Sequence, residues 1–285
     1  MPKVNKVGVI GSGVMGSGIT QLCAQGGYPV VMVGLDDSSL SSGMSAIRTT
    51  IGRLVTRQQM TEDTSNDLIG RIQTSTSMDS IKDCDIIIEA IWERLDAKKE
   101  VFRKLGELCR SDAILASDTA TLPVTELASA AHLPQRVIGI HLLSPAPLSK
   151  VVEIVPGQFT DDDTLVSTRE FCTLLGVTTV VVKDSPGFVI NRILAASMLE
   201  AARLLEAGVA SKEDIDTCMT LGAGSPVGPI RLMDLVGLDQ FLDLSNNLHS
   251  MLTDPKYKPP SILIDLVAEG KLGRKSGEGF YQWKP

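Results

Sequence analysis

The sequence predicts an α/β chain: a doubly wound, mainly parallel sheet followed by an all-helical domain. Three observations carry this. Short, β-branched apolar runs alternate with amphipathic stretches over the first two thirds of the chain. A glycine-rich turn closes the first run. Beyond about residue 184 only helical patterns remain.

The apolar runs are KVGVI (6–10), PVVMV (29–33), CDIIIEA (84–90), AILAS (113–117), RVIGIH (136–141), KVVEIV (150–155) and TTVVV (178–182). Consecutive apolar positions suit strands covered on both faces. The spacers VFRKLGELCR and DTLVSTREFCTLLG place apolar residues three and four apart and read as helices. Repeated strand–helix–strand units give the parallel, doubly wound sheet.

After KDSPGFVINR (183–192) the texture changes. FVINRILAASMLEAARLLEAG ends in Gly208, a C-cap signal, and SKEDIDTCMTLG opens on Ser211 with Asp214 three residues on, a variant capping box. PIRLMDLVGLDQFLDLSNNL and SILIDLVAEG complete the helical set. With 285 residues the chain is long for one core. The expected division is 1–184, a dinucleotide-binding domain, and 185–285, a helical domain for substrate and subunit contact.

A net charge of −7 lacks the basic footprint of a nucleic-acid binder. The five cysteines are scattered and form no CxxC pair, so no disulfide framework and no metal site is expected. No apolar run reaches the roughly 18 residues of a membrane span, and the N-terminus has no signal-peptide core. The expectation is a cytoplasmic protein in a reducing compartment.

The turn reads Gly11-Ser-Gly13-Val14-Met15-Gly16. It directly follows a strand and opens a helix, the context that gives this motif meaning. Gly11 permits the tight turn, Gly13 lets backbone approach a pyrophosphate, and Gly16 allows close helix–strand packing. Val14 and Met15 open the helix whose N-terminus favours the anion. This is a Rossmann-type fingerprint. The acid that should follow the second strand and hold the adenosine ribose is replaced by Gly34. Asp36, two residues late, is the candidate. No cation stands between Gly34 and Ala46 to meet a 2′-phosphate, so NAD is expected, with NADP left open.

His141 is one of three histidines and ends a strand of this sheet. Ligands of such sheets bind beyond the carboxyl ends of strands. Glu153 lies in the next apolar run, so the two side chains are placed to face each other across neighbouring strands. An imidazole removes a proton from a secondary alcohol, and a carboxylate on its other nitrogen fixes the tautomer. Read alone, His141 serves equally as a core histidine. Asn191, early on the first helix of the second domain, is a polar residue among apolar neighbours and a candidate for an interdomain cleft.

The chain resembles the short-chain (S)-3-hydroxyacyl-CoA dehydrogenases over essentially its whole length. The segments that carry this are GVIGSGVMGSGIT, IIIEAIWERLDAKKEVF, ASDTATLPVTELA, IGIHLLSPAPLSKVVEIV, DSPGFVINRIL, SPVGPIRLMDLVGLD and GRKSGEGFY. The resemblance implies an NAD-dependent oxidoreductase that interconverts 3-hydroxyacyl and 3-oxoacyl thioesters and dimerises through its helical domain. It places the catalytic pair on His141 and Glu153, the substrate asparagine on Asn191 and NAD contacts on Glu93 and Lys98. It places the CoA phosphate contacts on Arg53 and Arg57.

The chain departs from the family near cofactor and substrate. SDTAT stands for the usual SNTSS, so Asp118 replaces an asparagine and Ala120 the substrate-binding serine. HLLSP stands for HFFNP, giving Leu142, Leu143 and Ser144. Thr119 or Thr121 offers a replacement hydroxyl. One lost neutral hydrogen bond costs about 1 kcal/mol, under tenfold in rate. The departures therefore point to an altered acyl group or carrier. Acyl-CoA is the expected substrate. An acyl-carrier-protein thioester, a free hydroxy acid and a non-catalytic binder of the crystallin type remain alternatives.

Overall fold

A computed structural model describes residues 4–284. The chain divides after Asp184 into two compact units. The first holds one eight-stranded sheet in the order β3-β2-β1-β4-β5-β6-β7-β8. Its strands are β1 (Val7–Ile10), β2 (Val30–Val33), β3 (Ile72–Ser75), β4 (Ile86–Glu89), β5 (Ile114–Ser117), β6 (Val137–Leu142), β7 (Val151–Pro156) and β8 (Thr178–Val181). Strands β1, β2, β4, β5 and β6 are buried at every position, as their apolar runs demand.

Strand β3 is the one strand missing from the sequence reading. Its residues Ile-Gln-Thr-Ser are half-buried or exposed at the sheet edge, so they carry no apolar run. Parallel pairing with β2 alone defines the strand.

Helices α1 (Val14–Gln25), α2 (Asp37–Thr56), α3 (Glu62–Gly70), α4 (Leu95–Leu108), α5 (Val124–Ala130) and α6 (Asp162–Leu174) connect the strands. One core cluster joins strand residues such as Val9, Ile88 and Ile140 to Ile19, Cys23, Ile47 and Phe171 on the helices. The strand order reverses between β1 and β4, the switch point where open α/β sheets bind ligands.

The sheet is parallel except for β6 against β7. Only residues 143–150 separate these two strands. A parallel return needs a crossover of a dozen residues or more. This connection holds one 3₁₀ turn, Ala146–Leu148, and the chain comes straight back. Asp184 ends the unit by accepting the Val124 and Thr125 amides at the start of α5, at 3.0 and 2.8 Å.

The second unit is helical: α7 (Ile190–Glu206), α8 (Lys212–Thr217), α9 (Pro229–Val236), α10 (Leu238–Leu252) and α11 (Ser261–Ala268), with a π-helical turn at Cys218–Gly222. Met198, Leu199, Phe241, Tyr257 and Leu263 form its core. Gly208, at φ 66°, donates to the Leu205 carbonyl, and Val209 donates to Leu204. This pair of bonds is a Schellman ending. The Ser211 hydroxyl caps α8 by accepting the Asp214 amide. Two buried carboxylates tie the unit together. Asp216 accepts the first amides of α9, and Asp234 accepts the amides of Phe280 and Tyr281 near the C-terminus. No described helix is long and apolar enough to cross a membrane.

Candidate active site

The glycine turn sits at the carboxyl end of β1. Gly11 has φ +116°, and a side chain there would collide with the Ala90 carbonyl. A side chain on Gly16 would collide with the Gly11 carbonyl. Gly13 differs, because a side chain built on it meets open space. No side chain caps the amides of the first turn of α1. An open approach to backbone amides at a helix N-terminus is what a pyrophosphate requires, so these residues fit a dinucleotide.

Beside this turn Gly34 follows β2. A side chain at Gly34 would press into Leu40 and lie 3.1 Å from the Ser12 hydroxyl. Leu40 thus fills the place an acid would need. Asp36 is the N-cap of α2, its Oδ1 accepting the Ser39 amide at 2.7 Å while the Ser39 hydroxyl answers in a capping box. That carboxylate oxygen is already committed to the helix end.

His141 and Glu153 stand directly opposite in the β6–β7 register. Cross-strand neighbours share a face, with Cβ atoms about 5 Å apart. His141 Nδ1 lies 2.6 Å from Glu153 Oε2, and both side chains are buried. Withdrawal from water strengthens this pairing, and a carboxylate at Nδ1 favours the tautomer with its proton there.

Next to it is a charged network that the sequence did not disclose. The Lys98 ammonium, fully buried, lies 2.7 Å from Glu89 and 3.5 Å from Glu93. Glu89 also accepts the Ile91 amide and the Ser117 hydroxyl, both at 2.7 Å. Glu93 Oε1 accepts the Thr119 hydroxyl at 2.7 Å, the Ala120 and Thr121 amides at 2.8 and 2.9 Å, and the Thr121 hydroxyl at 3.1 Å. Burial opposes both charges. The paired carboxylates nevertheless hold Lys98 above the usual lysine range, and Lys98 with the Thr119–Thr121 donors holds Glu93 below the usual glutamate range. The one legible signal for Glu89 was an acid ending an otherwise apolar strand, IIIE.

Asp118 is the third carboxyl of this cluster. Its Oδ1 accepts the Leu142 amide at 3.0 Å, one residue beyond His141. Burial pushes its carboxyl well above the aspartate range, against the pull of that amide and of Lys98, and Glu89 and Glu93 add to the rise.

The Thr119 and Thr121 hydroxyls do not replace the serine lost at Ala120. Both side chains are buried and donate inward to Glu93. Ser144 is exposed in the loop after β6. Arg53 and Arg57 are exposed four residues apart at the end of α2, Arg53 lining a shallow groove with Ser45 and Thr49. Asn191 lies in the first turn of α7, in the second unit.

Comparison with known proteins identifies the family. Residues 6–185 match the family described as 3-hydroxyacyl-CoA dehydrogenase, NAD binding domain, and residues 187–283 match the 3-hydroxyacyl-CoA dehydrogenase C-terminal domain. A 3-hydroxybutyryl-CoA dehydrogenase of Bradyrhizobium diazoefficiens is 40% identical over 281 residues, covering 99% of this chain and 96% of that protein. The crystal structure of Mycobacterium tuberculosis FadB2 matches with a TM-score of 0.97 at 36% identity, covering 99% of this chain and 100% of that one. That of the (S)-3-hydroxybutyryl-CoA dehydrogenase PaaH1 from Ralstonia eutropha matches at 0.93 and 37%, with the same coverage. With both domain models matched across nearly its whole length, the chain belongs to the 3-hydroxyacyl-CoA dehydrogenase family, an NAD-dependent oxidoreductase with a Rossmann-type nucleotide domain.

Proposed function

We propose that this enzyme interconverts a 3-hydroxyacyl-CoA and the corresponding 3-oxoacyl-CoA, with His141 as general base and acid. The observation that carries this is the buried 2.6 Å contact between His141 Nδ1 and Glu153, at the carboxyl edge of a nucleotide-binding sheet.

Glu153 holds the ring proton on Nδ1, which leaves Nε2 as the basic nitrogen. Nε2 takes the proton of the 3-hydroxyl, and Glu153 stabilises the imidazolium that results. NAD, when bound at the glycine turn, supplies the acceptor for the hydride leaving C3. The reverse reduction returns the proton from His141. Gly11, Gly13, Val14, Met15 and Gly16 form the pyrophosphate cradle. Glu93, partly exposed, faces the cofactor while the buried Lys98 holds it from behind, and Asp36 remains the nearest acid to the ribose. Asn191, Ala120 and Ser144 contact substrate. Arg53 and Arg57, on one face of α2, meet the CoA phosphates. The helical unit pairs two copies in a homodimer.

A steady-state screen of 3-hydroxyacyl and 3-oxoacyl thioesters, with each nicotinamide in turn, tests the reading. Turnover with a CoA thioester and NAD is expected. No nicotinamide absorbance change across the panel would overturn it.

A further inference from the structure

A single exposed apolar side chain is ordinary on a protein surface, and Trp92 is informative because of where it stands. Trp92 is 78% exposed, in the loop between β4 and α4. Its neighbours are pinned on both sides. The Ala90 amide donates to Ile10 at 2.8 Å, and the Ile91 amide donates to the Glu89 carboxylate. The Arg94 amide donates to the Trp92 carbonyl at 2.7 Å, and Glu93 is held by four donors from residues 119–121. The backbone under Trp92 is thus set before any ligand arrives, while its indole lies in solvent.

The place is specific. Ala90 touches the glycine turn, since its carbonyl is what a side chain on Gly11 would strike. Strand β1 lies between β2 and β4. On the far side of the turn, two residues past β2, Leu35 is 81% exposed. The ends of β2 and β4 are two strand spacings apart, about 9–10 Å. Leu35 and Trp92 lie two and three residues beyond those ends, past the two strands that flank β1. The acid that usually follows β2 is absent at Gly34, and Asp36, two residues on, has one carboxylate oxygen engaged in capping α2.

We propose that Trp92 is the aromatic platform on which the adenine of the bound dinucleotide stacks, with Leu35 as the facing wall. The inference rests on NAD being the cofactor. Ring stacking adds binding at this point, where the acid usual after β2 is replaced by Gly34. The residue is a cofactor-binding and specificity determinant for the adenine half and takes no part in proton transfer.

Binding measurements test this without turnover. Dissociation constants for NADH and ADP-ribose are measured by calorimetry for wild type, Trp92→Phe and Trp92→Ala. Trp92→Ala is expected to weaken both about five- to tenfold, the loss of one base–aromatic stack, while Trp92→Phe stays within about twofold of wild type. ADP-ribose is expected to quench tryptophan emission of wild type, and that quench should vanish in Trp92→Phe. The other tryptophan, Trp283, is held in the second unit by Asp234, so it supplies a constant background. Unchanged affinity in Trp92→Ala, with NADH still bound, overturns this inference alone. Quenching of Trp92 by CoA in place of ADP-ribose overturns it too, by assigning the platform to the substrate's adenine. Failure of wild type to bind NADH would overturn the cofactor assignment along with it.

Discussion

His141 and Glu153 are opposed residues of antiparallel strands β6 and β7, joined through Nδ1 and Oε2 at 2.6 Å inside the sheet. The short return between these strands makes the register, and the register makes the pair. His141→Ala removes the proposed base, and kcat should fall about 100-fold or more. Glu153→Gln keeps the volume but offers an amide where the ring needs a carboxylate. Its kcat should fall by about 100-fold as well, with NADH affinity unchanged. Steady-state rates and NADH binding read both. A Glu153→Gln enzyme of normal kcat would sink the orienting role.

Lys98 balances two carboxylates, and among the described residues no other cation is ion-paired to either. Lys98→Met leaves Glu89 and Glu93 buried without their countercharge. Breaking a buried pair in this way costs about 3–5 kcal/mol. Urea unfolding should show that loss at pH 8 and a smaller one at pH 5, where Glu93, no longer held low by Lys98, more readily takes up a proton. An equal loss at both pH values would show that packing, not charge, is what Lys98 provides.

Asp118 carries the opposite sign. Its folded carboxyl binds a proton more tightly than in the unfolded chain, so its contribution is fully present below the unfolded aspartate range. That contribution is lost as pH rises through the raised folded value. Asp118→Asn keeps an oxygen for the Leu142 amide and has nothing to ionise. The variant should match wild type in Tm at pH 3.5–4 and exceed it increasingly as pH rises. At pH 8 a gain of about 2–4 °C is expected, the shift that about 1 kcal/mol makes in a domain of this size. A gap that stays constant with pH would falsify the assignment.

Arg53 and Arg57 lie outside the buried network, exposed at the end of α2. Replacing both with alanine should raise KM for acyl-CoA about tenfold or more, because phosphate contacts of this kind are charge-assisted. KM for an acyl N-acetylcysteamine thioester, which lacks the phosphates, should not move. Equal changes for the two substrates would remove CoA phosphates from this face.

Much of the architecture is written locally. A buried parallel strand must be apolar at every position, so β1, β2, β4, β5 and β6 were legible as runs, and β3, at the half-exposed edge, was not. The glycine turn was legible because its glycines answer to steric limits within one strand–turn–helix unit. The pairing of His141 with Glu153 was legible as a possibility, since a lone acid in an apolar strand needs a partner.

What only the tertiary structure decided are the contacts made by ends of strands far apart in sequence. Ser117 reaches Glu89 across 28 residues, and Asp118 reaches Leu142 across 24. Such contacts depend on which way each side chain leaves its strand and how strand ends align, which spacing along the chain does not encode. The same cause turned Thr119 and Thr121 inward to Glu93, away from the role of the lost serine, and left Trp92 on an anchored loop facing solvent. The sequence by itself determined the fold class and singled out the two residues that pair as His141 and Glu153. The folded chain decided which hydroxyls and carboxylates are spent on structure and which groups stand exposed beside the glycine turn, because burial and hydrogen-bond supply are set only once the sheet is assembled.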